Sequence, residues 1–119
     1  MAWDVCFGPE AREWVEGLGD KDFKAIMGAV DVLEREGPAL GRPIVDTIKG
    51  SRHANMKELR SVGGHLRALF AFDPRRQALV LLGGDKTDDW QGWYERNIPI
   101  ADDLFDDYLA HLRDENPEG

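Results

Sequence analysis

The residues that could do chemistry lie in the middle of the chain, which is cationic although the whole chain carries a net charge of −8. Residues 42–86 contain nine Lys/Arg and four Asp/Glu, a net +5. Residues 1–41 contain four Lys/Arg and nine Asp/Glu, and residues 87–119 contain two Lys/Arg and ten Asp/Glu. Both flanks are therefore acidic. Clustered Lys and Arg attract phosphate, while negative charge elsewhere suppresses indiscriminate adhesion. The pattern predicts a surface for a specific phosphate-bearing target.

The same charge pattern has a second interpretation. Blocks of like charge are often solvated faces, and the central cations could simply pair with the acidic flanks inside one domain. For the arginines of the predicted strands, the partners would be Glu58 or acids of the last helix. Exposed cations would favour phosphate binding, whereas cations paired with acidic side chains would favour a structural role.

Three strand-like runs follow one another in the cationic segment, at 56–61, 65–72 and 77–83. Short segments rich in Gly, Pro and Asp join them, which predicts antiparallel hairpins in a three-strand meander. The third run includes Leu79–Leu82, which is apolar on both faces. This run is therefore expected inside the sheet.

Alternation along these strands brings two cations to one face. Phe70 lies on the side that must face the helices, so Arg67 projects from the opposite, helix-free face. If Leu59 points to the core, Arg60 joins Arg67 on that face. Lys57 shares the parity of Leu59 and would reach solvent only at a strand end.

The first part of the chain predicts a strand and a helical hairpin. Ala2–Phe7 is apolar and β-favouring, and apolar residues then recur at helical spacing over Glu10–Leu18. A second helix begins near Asp20, a candidate cap, and ends at Gly37. Residues 38–55 are rich in Gly and Pro and are predicted to form a surface loop of functional length.

The last part of the chain predicts two helices. One begins at Asp88 or Asp89 as a cap and carries the aromatic stripe of Trp90–Tyr94. Asn97–Pro99 interrupts it, and Pro99 opens a final helix with an apolar side and an acidic side.

These elements define an α+β fold, in which an N-terminal strand and helical hairpin pack on an antiparallel sheet meander, with C-terminal helices. A chain of 119 residues has the usual size of one domain. We expect a single domain over residues 1–114 and a disordered tail at 115–119.

Composition limits the compartment and the cofactors. No apolar run approaches the roughly 20 residues that cross a bilayer, and no signal peptide is evident, so a cytoplasmic location is expected. The single Cys6 cannot form an internal disulfide. His53, His65 and His111 do not have metal-ligand spacing. We expect no metal and no cofactor.

Three short motifs carry a family resemblance. They are Lys57-Glu58-Leu59-Arg60, Arg67-Ala68-Leu69-Phe70-Ala71-Phe72 and Leu81-Leu82-Gly83-Gly84-Asp85-Lys86. In their order and spacing they resemble the RelE/ParE toxin superfamily, and within it the HigB or phage-derived Gp49-like branch. The resemblance covers most of the chain, because the helical hairpin before the sheet and the helix after it also occur in the family's order. It implies a RelE-like fold.

The resemblance also implies an activity, since RelE-like toxins are ribosome-dependent endoribonucleases that cut mRNA with a cationic site. It maps the family's catalytic positions onto Arg60, Arg67 and Lys86. Arg60 and Arg67 would clamp the phosphate in bidentate geometry. Lys57 or Lys86 would serve as base or acid, with a pKa lowered by the neighbouring cations.

Further residues are expected to bind RNA in such a site. Cations of the predicted loop and turn would contact the backbone, and aromatic side chains of the following helix would stack on bases. These residues are Lys49, Arg52, Arg75, Arg76, Trp90 and Tyr94.

The implied partners are the ribosome, mRNA and a cognate antitoxin, expected to be of the helix-turn-helix type. The alternative is a non-enzymatic interaction module, such as a ParE-like inhibitor of DNA gyrase, in which the same scaffold catalyses nothing. Open Arg60 and Arg67 side chains would favour the nuclease. Arginines sealed by acids of the C-terminal helix would favour the interaction module.

Overall fold

The computed structural model describes residues 3–61, 63, 65–85 and 90–115. The strands are β1 (Asp4–Phe7), β2 (Val45–Thr47), β3 (Met56–Arg60), β4 (Arg67–Phe72) and β5 (Gln77–Gly84), and the helices are α1 (Pro9–Glu16), α2 (Asp20–Glu36) and α3 (Trp90–Glu115). A short 3₁₀ turn, Gly37–Ala39, follows α2. Of the predicted tail, Glu115 ends α3 and residues 116–119 lie outside the described ranges. Within those ranges, no helix has the length and apolar character needed to span a membrane.

The five strands form one sheet in the order β1-β5-β4-β3-β2. Strands β3, β4 and β5 are consecutive antiparallel neighbours, so the predicted meander is confirmed. Strand β1 pairs in parallel with β5, which places β5 inside the sheet as its apolar run predicted. Strand β2 lies at the far edge, antiparallel to β3. The prediction of a loop throughout 38–55 was wrong at β2, because three residues are too few to show alternation.

Helices α1 and α2 pack on one face of the sheet, as the hairpin prediction required. Ile26 and Leu33 of α2 are fully buried against a sheet face that includes Leu59 and Phe70. Burying a side chain of this size stabilises the fold by roughly 1.5–3 kcal/mol. The strand parity inferred from Leu59 and Phe70 is therefore confirmed.

The helix starts differ in detail from the predictions. Pro9 occupies the first turn of α1, where its missing N–H costs nothing. In α2 the cap is Gly19 and not Asp20, which is instead the first helical residue. There its carboxylate still interacts favourably with the positive end of the helix. The caps predicted for the last helix, Asp88 and Asp89, lie outside the described residues.

Helix α3 covers the other face of the sheet, so the prediction that this face is helix-free was wrong. Trp93, Ile98 and Phe105 of α3 pack against Leu69 and Leu81 in a second buried cluster. The sheet is thus a central layer with helices on both sides. Any site on the Arg60 and Arg67 face must lie between the sheet and α3.

The predicted break at Asn97–Pro99 was also wrong, because Pro99 lies inside the continuous helix α3. Proline has no N–H to donate to the carbonyl of Glu95, a loss that normally ends or kinks a helix. The residues around it, Ile98 and Ala101, are buried in the second cluster. Tertiary burial on both sides of the proline overrides the local preference.

Two glycines at the end of β5 let the two helical layers approach the sheet closely. The register between β4 and β5 shifts once, at a β-bulge. A Cβ on Gly83 would overlap the indole of Trp14 in α1, and a Cβ on Gly84 would overlap that of Trp93 in α3. Both indoles therefore use the space that a side chain would occupy.

We expect Gly83→Ala to lower the free energy of unfolding by about 1–3 kcal/mol, because the added methyl must displace a ring packed against the strand. Gly41→Ala is the matched control, since nothing lies within 4 Å of a Cβ built at that exposed glycine. Urea denaturation of both variants measures the difference. Equal midpoints would contradict the packing described here.

Candidate active site

A cleft of about 720 Å³ opens between the first half of α3 and the sheet on the side of β2, β3 and β4. Its charged lining residues are Asp46, Lys49, Glu58, Arg60, Arg67 and Glu95. Three cations thus face three acids, and the cleft is close to neutral although it lies in the cationic segment. The apolar residues Ile48, Ile98 and Pro99 also line it. Such a mixture of an apolar wall with a few convergent polar groups is typical of ligand sites.

Arg60 is held by two carboxylates. Its Nε and Nη2 lie 2.8 and 2.7 Å from Oε1 of Glu58, whose side chain is only 3% exposed. Nη2 also donates to Oδ2 of Asp46 at 3.2 Å. Asp46 in turn accepts from Nε of Arg42 at 3.1 Å. A buried carboxylate requires such partners to remain ionised.

Arg67 lies directly opposite Arg60 in the sheet, which confirms that the two share a face. Its Nη1 donates to the hydroxyl of Tyr94, and that hydroxyl donates to Oε2 of Glu58. The distance from Nη1 to Oε1 of Glu58 is 3.6 Å, too long for a hydrogen bond. Nε of Arg67 is buried and has no hydrogen-bond partner among the described residues.

Two aromatic rings of α3 orient the Arg67 guanidinium. Its central carbon lies 4.8 Å from the centre of the Trp90 ring and 5.9 Å from that of Tyr94. Cation–π contacts of this kind contribute about 0.5–2 kcal/mol. Both aromatics predicted to stack on bases therefore contact Arg67 in this structure.

The surroundings shift the pKa of three groups in this network. Desolvation, followed by the hydrogen bond to Glu58, raises the pKa of Tyr94, so its phenol stays protonated at neutral pH. Desolvation opposes the charge of Arg60, but the hydrogen bond and attraction to Glu58 outweigh it and raise the pKa of that guanidinium. The hydrogen bond from Arg42 is the main cause of the lowered pKa of Asp46.

The predicted lysines do not all reach this site. Lys49 lines the cleft. Lys57 alternates with Glu58 and lies on the opposite face, opposite Phe70 in the register, so the structure does not bring it to Arg60 and Arg67. Lys86 lies outside the described residues.

Arg52, expected to bind RNA, is engaged by acids of α3. Its Nη2 lies 2.9 Å from Asp103 and 2.6 Å from Asp106. The hydrogen bond to Asp106 is the main cause of the raised pKa of Arg52, and the hydrogen bond to Asp103 is the second. The backbone N–H of Arg52 and Oγ of Ser51 both donate to Asp102, which is 1% exposed. The loop that carries Lys49 is thereby fastened to α3.

Arg75 and Arg76 lie in the turn between β4 and β5, at the end of β4 remote from Arg67. The guanidinium of Arg76 lies 5.0 Å from the centre of the Trp3 ring. The length of β4, at about 3.3 Å per residue, separates this turn from the cleft. The structure therefore does not bring these two arginines to the candidate site.

Glu58 is the residue that sequence reasoning failed to include among the site residues. Its membership in the Glu-Leu-Arg motif and its shared parity with Arg60 were the available signals. Its central position between Arg60 and Tyr94 depends on α3 covering this face. Among the described residues, no group of three or more His, Cys, Asp or Glu could hold a metal ion.

The fold has close counterparts among solved structures. The isolated RelE toxin of Escherichia coli matches with a TM-score of 0.59 at 12% identity, over 80% of this chain and 98% of that one. The RelBE2 toxin–antitoxin complex of Mycobacterium tuberculosis matches with a TM-score of 0.57 at 18% identity, over 72% of this chain and 100% of that one. At these identities the likeness defines the fold alone, and that fold is RelE-like.

Sequence comparison defines the family more narrowly. The family described as phage-derived protein Gp49-like matches residues 13–106. A protein of Mycobacterium tuberculosis named as a toxin, HigB3, is 51% identical over 89% of this chain and 93% of its own length. HigB2 of the same organism, also named as a toxin, is 49% identical over 88% of this chain, which spans only 54% of that relative. The chain belongs to the Gp49-like family, the HigB-like branch of the RelE/ParE superfamily.

Asp102 provides a test of the link between the loop and α3. We expect Asp102→Ala to lower the free energy of unfolding by about 1–3 kcal/mol, because Ser51 and the Arg52 N–H lose their acceptor in a partly buried setting. Asp103→Ala is the control, since its side chain is 75% exposed and exposed ion pairs contribute about 0–1 kcal/mol. Thermal unfolding compares the two, and similar losses would contradict a special role for Asp102.

Proposed function

We propose that this protein is the toxin of a type II toxin–antitoxin pair and that it cleaves mRNA on the ribosome without a metal ion. The observation that carries the proposal is the convergence of Arg67, Arg60, Glu58 and Tyr94 in one cleft. Two relatives that are 51% and 49% identical to this chain are named as toxins, which supports the assignment to this class.

The proposed reaction uses the RNA's own 2′-hydroxyl as the nucleophile. Its oxygen bonds to phosphorus while the bond from phosphorus to the 5′-oxygen breaks. This requires an acceptor for the 2′ proton, stabilisation of the phosphoryl oxygens and a proton for the leaving oxygen. Glu58 is the acceptor in this proposal, since Lys57 lies on the other face of the sheet. Arg67 stabilises the phosphoryl charge.

Tyr94 suits the remaining role of proton donor. Its phenol carries a proton at neutral pH, as tyrosine ordinarily does, and its hydroxyl already lies against both Glu58 and Arg67. Because the Glu58 side chain is 3% exposed beneath this hydroxyl, Tyr94 must turn away from Glu58 when RNA enters. The same movement would bring the phenol towards the leaving oxygen.

The charge of the cleft supports the proposed dependence on the ribosome. Three cations balanced by three acids give little long-range attraction for free RNA. A ribosome would compensate by holding mRNA at high local concentration. The proposed partners are therefore the ribosome and its mRNA, together with a cognate antitoxin of the helix-turn-helix type. Toxin–antitoxin complexes among the structures of the same fold support an antitoxin partner, and its helix-turn-helix type is part of the proposal.

One observation favours a second candidate function. Arg60 is paired with Glu58 and Asp46, so part of the cationic site is already neutralised. A non-enzymatic module, such as a ParE-like inhibitor of DNA gyrase, would tolerate such pairing. Inhibition of gyrase supercoiling by the purified protein, with no new mRNA ends in cells, would favour this candidate over the nuclease.

For the nuclease, we expect Arg67→Ala to abolish growth inhibition and to lower mRNA cleavage by about 100-fold or more, since it removes the donors that face the phosphate. Mapping of 5′ ends in cells that express each variant measures the change. Arg35→Ala is the matched control, because Arg35 is an exposed arginine on α2, across the sheet from the cleft.

Two results would contradict the nuclease. One is toxicity of the wild-type chain without new 5′ ends. The other is full cleavage by Arg67→Ala at wild-type abundance, which would exclude the cleft as the active site. Loss of cleavage in Arg35→Ala as well would indicate that the assay reports folding or expression and not the site.

A further inference from the structure

The two arginines of the cleft differ in how far their donors are already used. Arg60 places Nε and Nη2 on one oxygen of Glu58, at 2.8 and 2.7 Å, and shares Nη2 with Asp46 at 3.2 Å. Both of these donor groups are therefore engaged by carboxylates. Releasing them would leave Glu58, which is almost fully buried, without its main counter-ion, and an unpaired buried charge is strongly destabilising.

Arg67 is engaged much less completely. Its only described hydrogen bond runs from Nη1 to the neutral hydroxyl of Tyr94, and Glu58 is 3.6 Å away. Its Nε is buried without an acceptor among the described residues. A buried donor left unpaired is destabilising, and an anionic oxygen that reached it would remove that penalty.

We infer that the two arginines have separate roles, in which Arg67 alone of the pair contacts the RNA phosphate and Arg60 is a positioning residue that holds Glu58. This inference rests on the proposed function and deepens it. Trp90 supports the division, because the centre of its ring lies 4.8 Å from the central carbon of the Arg67 guanidinium and brings no carboxylate that would compete with a phosphate. Asp46 also supports the division, because its carboxylate on the edge strand β2 pairs with Nη2 of Arg60 at 3.2 Å and holds that arginine in place.

Salt dependence separates a phosphate contact from a positioning role. Each phosphate neutralised on a single strand contributes about 0.7 to the slope of log affinity against log salt concentration. A residue that acts only through Glu58 leaves this slope unchanged. The probe is a short RNA whose 2′-hydroxyls are methylated, so that it binds but cannot react. Anisotropy measures its affinity for the full chain between 25 and 200 mM salt, where low salt and high protein concentration compensate for the weak attraction of free RNA. A wild-type chain that does not bind the probe even at 25 mM salt would overturn the inference.

We expect Arg67→Gln to weaken binding by about tenfold at low salt and to reduce the slope by about 0.7. Arg60→Gln should keep the slope and keep the affinity within about twofold. On ribosomes programmed with unmodified mRNA, Arg60→Gln should instead lower kcat by about tenfold or more with KM little changed. Arg35→Gln serves as the control for loss of a remote positive charge.

Equal reductions in slope for Arg60→Gln and Arg67→Gln would overturn the inference, as would an unchanged slope for Arg67→Gln. If thermal unfolding shows that Arg60→Gln does not fold, Glu58→Gln is compared with Glu58→Gln/Arg60→Gln, in which both partners are neutral. Equal slopes would support the division, and a further loss of about 0.7 would refute it. A wild-type chain that binds the probe but cuts no mRNA would refute the nuclease while the slopes still decide the phosphate contact.

Discussion

The buried carboxylate of Glu58 is the constraint on which the rest of the site depends. Moving an ionised carboxylate out of water costs several kcal/mol, and only close partners can offset that cost. Arg60 and the Tyr94 hydroxyl supply those partners from two different elements, β3 and α3. Glu58 therefore links β3 to α3 through the Tyr94 hydroxyl. Arg67 joins the network through Tyr94 and not through the carboxylate itself.

Helix α3 acts at two points along its length. Near its start, Trp90 and Tyr94 orient Arg67 within the cleft. Just over two turns beyond Tyr94, Asp102 and its acidic neighbours fasten the loop that carries Arg52. Between these points the apolar residues around Pro99 pack on the sheet. A single helix thus forms one wall of the cleft and holds the loop that carries Lys49.

Much of this arrangement could be predicted from the sequence. Turn residues and alternation defined the meander, and parity alone placed Arg60 and Arg67 on a common face. The prediction that this face is free of helices failed, since an amphipathic pattern shows that α3 has a buried side but not which surface it covers. Strand β2 was not predicted, because its three residues are too few to show alternation. The ion pairs of Arg52 and the central position of Glu58 arise from contacts between distant parts of the chain. The local spacing of residues does not predict such contacts.

The parallel pairing of the first strand has a consequence for how the protein is made. Asp4 pairs with Gln77, so β1 has no neighbouring strand until β5, which begins about 70 residues later in the chain, has been synthesised. Pairings this distant along the chain form slowly, because the intervening segment must first be closed into a loop. Helix α3, which completes the cleft, emerges later still. The cleft therefore cannot be complete before α3 has been synthesised and has packed on the sheet.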